Sequence, residues 1–159
     1  MSEALHLVQL LGRRTAGLHR ELASIVEERF VPVPFTRLYQ RSLYQAMRSH
    51  TRATYAAISR SRHLLDRAVL ATLPAEETVL GMFASLTTRL VECDRIRIHG
   101  DLHLAQVLER GGDVTFIDFE GEPARPIGER SIKRGALVDV AGMVRSFDYV
   151  AHQGMIDAV

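Results

Sequence analysis

"IRIHGDLHLAQVLERGGDVTFIDFEGEP", residues 96–123, decides how this chain is read. It places two histidines and three aspartates between short apolar runs. "RIRIH" (95–99) alternates in the manner of a strand. "GDLHLA" reads as a loop or a single turn. "QVLER" and "VTFIDF" are two further short strands, joined by Gly111, Gly112 and Asp113, a strong hairpin signal. Three readings compete for the stretch: a metal site, the catalytic loop of a phosphotransferase, or a hairpin decorated with charge.

On either side the period is helical. Leu7, Leu11, Leu18, Leu22 and Ile25 recur at spacings of three, four or seven, which predicts one helix over residues 3–29. "FVPVPF" (30–35) stops it, because proline lacks an N–H and disfavours helical geometry in the residue before it. Residues 36–72 are helical again, with Leu43, Met47, Thr54, Ile58 and Leu65 on one side and "SRSR" (59–62) as a break point. Pro74 with Glu76 and Glu77 opens a helix reaching about Val91, with Val79, Met82, Phe83, Leu86 and Leu90 inward. Residues 120–135 hold three glycines and two prolines and should be irregular. From Ala136, Leu137, Val140, Val144, Phe147 and Ala151 mark a last helix. The expected organisation is helical over 1–94, a catalytic loop and hairpin over 95–119, a loop over 120–135 and a helix over 136–159. The class is α+β and predominantly helical.

Composition narrows the function. The chain has 159 residues, 47% apolar and 25% charged, enough for a packed core. A net charge of +1 argues against a dedicated nucleic-acid binder. One cysteine, Cys93, excludes a disulfide framework and suits a reducing compartment. No apolar run approaches the length of a membrane span, and the first residues lack a signal peptide's basic start, so the expectation is a soluble cytoplasmic protein. The Arg37, Arg41, Arg48 and Arg52 stripe reads as a solvated helix face. The single lysine, Lys133, reads as a loop lysine.

The chemistry lies in the opening stretch. Asp101 follows a strand and a glycine, where a carboxylate can take a proton from a substrate hydroxyl. Alone it would read as a loop residue capping a turn. Gln106, five residues on, offers an amide oxygen, and Asp118 ends the second hairpin strand, where a rigidly held carboxylate suits a divalent metal. A base, an amide ligand and a metal carboxylate across a short hairpin is the layout of kinases. The rival is a metal-dependent hydrolase using His99, His103, Asp101 and Asp118. It is weaker, because a four-residue histidine spacing shares a face only on a helix and Gly100 interrupts it.

"HGDLHLAQVL" followed by "IDFEGEP" resembles the catalytic and metal loops of the aminoglycoside-phosphotransferase-like kinases, and within them the maltokinases, including those fused to trehalose synthase. "LGRRTAGLHREL" (11–22), "EGEPARPIGER" (120–130) and "DVAGMVRSFDYVA" (139–151) extend the resemblance. It implies a partial C-terminal lobe of a protein-kinase-like fold. Asp101 would be the catalytic base, His99 would orient the loop, and Gln106 and Asp118 would hold magnesium and with it ATP. His103, Glu120 and Arg125 are candidates for sugar contact, although Glu120 and Glu122 also read as solvated loop acids. Arg125 and Arg130 could pair with those acids or with Asp118. Asp139 would brace the catalytic loop, or would simply be an acid near a helix start. The implied reaction is phosphoryl transfer from ATP to maltose, giving maltose 1-phosphate for α-glucan synthesis.

Such a kinase also needs an N-terminal lobe that grips the nucleotide. Nothing before residue 95 reads as a sheet, no glycine-rich loop occurs there, and Lys133 comes after the metal aspartate. The expectation is a fragment without its ATP-binding lobe, inactive alone, prone to self-association, and completed by that lobe or by a trehalose synthase domain. The alternative from another class is a non-catalytic helical module of a bifunctional protein.

Overall fold

A computed structural model describes residues 3–157. The chain divides into two units, Phe35–Cys93 and the pair of segments on either side of it.

The unit of outer segments opens with helix α1, Glu3–Ser24. It is shorter than the periodicity predicts and ends before Ile25. It buries Leu11, Thr15 and His19, four residues apart, so its best-covered side is partly polar. Strand β1, Val33–Pro34, pairs antiparallel with β2, Asp94–Arg95. This corrects the strand-free reading of residues 1–94: a proline can sit in so short an edge pairing. The strand expected at 95–99 shrinks to β2 and a single bridge from Ile96 to Arg134.

A 3₁₀ turn at Leu104–Gln106 leads into β3, Val107–Arg110, and β4, Asp113–Phe116. The connecting pair Gly111 and Gly112 has φ of 63° and 78°. Two left-handed residues make the turn whose twist matches the flanking strands, and glycine adopts it without a Cβ clash. Asp113 is the first residue of β4 and not part of the turn, opposite Arg110. Its carboxylate takes a bidentate pair from Arg14 Nε and Nη2 at 2.7 and 2.5 Å, tying the hairpin to α1. Both side chains are about half exposed, so solvent screens the pair. The 120–135 loop contains one short helix, α6, Ile127–Arg130.

Helix α7, Leu137–Asp157, closes the unit. The apolar residues that mark it in the sequence are not its packed side. Leu137 is 77% exposed, and Val140 and Val144 are exposed as well. Asp139 and Met143 are the buried residues of its described part.

The inner unit is all helical. Helix α2, Arg37–Arg60, is capped by Thr36, whose hydroxyl accepts from Tyr39 N at 3.2 Å. A 3₁₀ turn follows at Arg62–Leu64, then α3, Arg67–Thr72, capped by Asp66. The "SRSR" break therefore falls where the sequence puts it. Pro74 lies just ahead of α4, Glu76–Met82, and not at its first position. Helix α5, Ser85–Thr88, is separate from it. Met82 and Leu90, expected inward on one helix, are 72% and 50% exposed; Met82 is the last residue of α4 and Leu90 lies past the end of α5. Buried Gln40 fastens α2 to this segment. Its Nε2 donates to the carbonyls of Leu86 and Arg89, and its Oε1 accepts from Val91 N. Of the arginine stripe, Arg37, Arg41 and Arg52 are exposed and Arg48 half-buried. Among the described residues no helix is long and apolar enough to cross a membrane.

Candidate active site

The site is built on the loop 99–104, on the 3₁₀ turn that ends at Gln106 and on the residues just past β4, so Gln106 precedes and Asp118 follows the hairpin strands they were expected to begin and end. His99 is fully buried. Its Nε2 lies 2.8 Å from the carbonyl oxygen of Ile117, which only accepts, so the ring carries its proton on Nε2. Nδ1 then accepts the Asp101 backbone N–H at 3.3 Å. The ring packs on Phe119 at 4.7 Å between centroids. One imidazole thus ties the residue before Asp118 to the backbone of Asp101. With both nitrogens occupied and no exposure, His99 positions the loop and reaches no substrate. Both ring nitrogens are engaged within the chain, so His99 presents none to the metal that the hydrolase alternative calls for. Among the described residues, no three His, Cys, Asp or Glu side chains are grouped to hold a metal.

Asp139 holds the same loop from α7. It is 1% exposed. Its Oδ2 accepts from the backbone N of His99 at 2.9 Å and its Oδ1 from that of Gly100 at 2.9 Å. A third donor, His19 Nε2 from α1, lies 2.8 Å from Oδ2. Burying a carboxylate is costly unless its oxygens are satisfied, and here three donors do so. The sequence reading missed His19. A histidine on the apolar side of an otherwise amphipathic helix was the available signal.

Glycines let the loops meet. Gly100 and Gly121 have φ of 90° and 77°, which side chains rarely adopt, and a Cβ on Gly121 would stand only 3.1 Å from the Arg130 Cβ. Asp118 is the one non-glycine residue with positive φ, 64°, among the described residues. Such a conformation costs energy for a residue with a side chain and concentrates at functional sites. The Asp118 carboxylate is exposed, and its Oδ2 accepts from Gln106 Nε2 at 3.1 Å. The two side chains named as metal ligands therefore do meet.

Asp101 lines a cleft of about 450 Å³ with His103, Glu122, Arg145 and Tyr149. Burial first, and then the charge of Glu122, hold its carboxyl above the ordinary carboxylate range, with His103 and His99 opposing more weakly. His103 Nε2 stands 3.9 Å from Asp101 Oδ2. The raised value means that folding favours the neutral acid. Asp101's contribution to stability is therefore present at low pH and lost as pH rises through the raised value, while its capacity as a base appears over that same rise. Glu122→Gln should lower the Asp101 value, and carboxyl carbon NMR titration of the two proteins would read it; an unchanged midpoint would rule out the Glu122 contribution.

The remaining candidates are less central. Glu120 is exposed. Arg125 approaches Glu129 at 4.0 Å, and Arg130 donates to the carbonyls of Arg125 and Pro123, so neither makes the ion pair with Asp118 that the sequence left open. Lys133 Nζ donates to the Glu28 carbonyl at 2.8 Å, a loop contact.

This combination, a carboxylate in a cleft beside an amide and a carboxylate paired at the base of a hairpin, is phosphotransferase-like in layout. No family model matches the chain. It is 30% identical over 163 residues to a glucosamine kinase of Streptacidiphilus jiangxiensis, across 94% of this chain and 32% of that protein. A glucosamine kinase of Mycolicibacterium smegmatis is 47% identical over 53 residues, 33% of this chain and 13% of that protein. Among solved structures, a glucosamine kinase in crystal form A aligns with a TM-score of 0.72 at 25% identity over 92% of this chain and 31% of that one. A glucosamine kinase in complex with glucosamine, ADP and inorganic phosphate aligns at 0.67 over 92% of this chain and 34% of that one. The chain thus spans about a third of the length of the sugar kinases that it matches along most of its own length. The expected kinship with sugar kinases is met. The narrower expectation of maltokinases finds no support in these relatives, which are named for glucosamine.

Proposed function

We propose that this chain carries the base and metal loops of an ATP-dependent sugar phosphotransferase. The observation that carries the reading is the placement of Asp101 in a cleft, with Gln106 and Asp118 paired at the base of the adjoining hairpin. Likeness to a structure holding glucosamine, ADP and phosphate supports it.

In this reading a sugar hydroxyl enters the cleft and gives its proton to the Asp101 carboxylate. Its oxygen bonds to the γ-phosphorus of ATP as the bond to the bridging oxygen breaks and ADP leaves. Gln106 and Asp118 are the residues that would hold magnesium. An exposed carboxylate and an amide are hard oxygen donors suited to that ion, with the amide turned to present Oε1 in place of Nε2. Magnesium would supply neutralisation of charge on the phosphates. His103, Glu120 and Arg125 remain the proposed sugar contacts, His103 with the firmest basis because it lines the cleft with Asp101.

The acceptor favoured is an amino sugar. The relatives are named for glucosamine, and Asp101 and Glu122 give the cleft two carboxylates to face an ammonium group. Maltose is the second reading, carried by the loop strings that resemble maltokinases, and it calls for a trehalose synthase encoded alongside. Phosphate release from ATP into glucosamine and into maltose, measured in parallel with an ATP-binding form of the protein, decides between them; transfer to neither sugar sinks the proposal. The 159-residue chain alone is expected to transfer no phosphate, because the reaction depends on gripping the nucleotide and its one lysine is tied to the Glu28 carbonyl. Robust turnover by that chain would overturn this part.

A further inference from the structure

We infer that Gly142 and Ser146, on the face of α7 that also carries the loop-bracing Asp139, are positioning residues that hold Asp101 through the backbone of residues 99–104. The three residues are spaced i, i+3 and i+7, so they share one side of the helix and span about 10 Å of its length. Each meets a different backbone group of the loop. Asp139 accepts the N–H groups of His99 and Gly100. Ser146 Oγ donates to the Met143 carbonyl at 2.8 Å, which turns a lone pair toward the N–H of Leu104, 3.1 Å away.

Gly142 supplies space. A Cβ built there would stand 2.6 Å from the carbonyl oxygen of Leu102, closer than real Cβ contacts come. The obstacle is backbone, so no side-chain rotation could relieve it. Glycine inside a helix weakens the helix relative to alanine. Here it lets the loop carbonyl sit where a side chain would stand. Leu102 itself is 1% exposed, so the loop has little room to retreat.

The loop is thus fixed at positions 99, 100, 102 and 104. Asp101 and His103 lie between these points and line the cleft. A shift of the backbone at either flank carries the carboxylate with it. These backbone contacts do not depend on the phosphotransfer reading; only their consequence for catalysis does.

Amide hydrogen exchange and ring-nitrogen NMR of the full chain test this without any activity. Ser146→Ala should speed exchange at Leu104 by about tenfold, with Leu11 in α1 unchanged. Ser146→Thr, which keeps the hydroxyl, should restore the protection. Gly142→Ala should move the amide resonances of residues 99–104 and alter the His99 ring signals, since Nδ1 would lose its fixed distance to the Asp101 N–H. Val144→Ala, on the exposed side, should change none of these. Retained Leu104 protection in Ser146→Ala overturns the proposal. So does equal loss of protection in the loop and in α1, which would mark a general loss of stability. If Gly142→Ala does not fold, the Ser146 pair of variants decides.

Discussion

Replacing Asp139 by alanine is expected to cost at least about 3 kcal/mol, the range for removing one partner of a buried charged group. The carboxylate is almost wholly buried, and the substitution leaves His99 N, Gly100 N and His19 Nε2 without their acceptor. Urea unfolding at neutral pH would give the value, read as a fall in midpoint at constant slope. His19→Ala should cost less, because two backbone donors still satisfy Asp139. A loss under about 1 kcal/mol for Asp139→Ala would mean that water enters freely and that the three contacts contribute little.

The second large effect is on rate. In an ATP-binding form of the protein, Asp101→Asn should lower kcat by about 10²–10⁴, the usual worth of a positioned base, with little change in the KM of either substrate. Asparagine keeps the shape and cannot take the hydroxyl proton. Burial and Glu122 raise the Asp101 carboxyl, so the acid limb of the wild-type pH–rate profile should lie above the ordinary carboxylate range. That limb should be absent in the variant. A variant that retains its rate removes Asp101 from the role of base.

Much of this molecule could be read locally. Gly111–Gly112 between two alternating runs specifies a hairpin because only those residues take two left-handed conformations in succession at low cost. The helical periods are equally local, whereas the Pro-Val-Pro segment lies beyond the end of α1 at Ser24 and is not what stops it. The spacing of Asp101, Gln106 and Asp118 was legible because a short loop and a tight hairpin leave the chain few ways to separate them. The pairing of Gln106 with Asp118 at 3.1 Å follows from that connectivity.

What could not be read depends on residues far apart in the chain. His19 and Asp139 are 120 positions apart, and Arg14 and Asp113 are 99 apart. A pattern that counts apolar residues can mark His19 as out of place on its helix face but cannot name Asp139 as its partner. Gln40 was invisible for the same reason. Helix α7 shows the limit most clearly. Its apolar stripe identified it as a helix, yet Leu137, Val140 and Val144 face outward. The face that packs carries Asp139, Gly142 and Ser146, because what it meets is not another hydrophobic surface but a loop of bare backbone. Amide groups require acceptors and a carbonyl requires room, and those demands exist only once the loop and the helix are brought together.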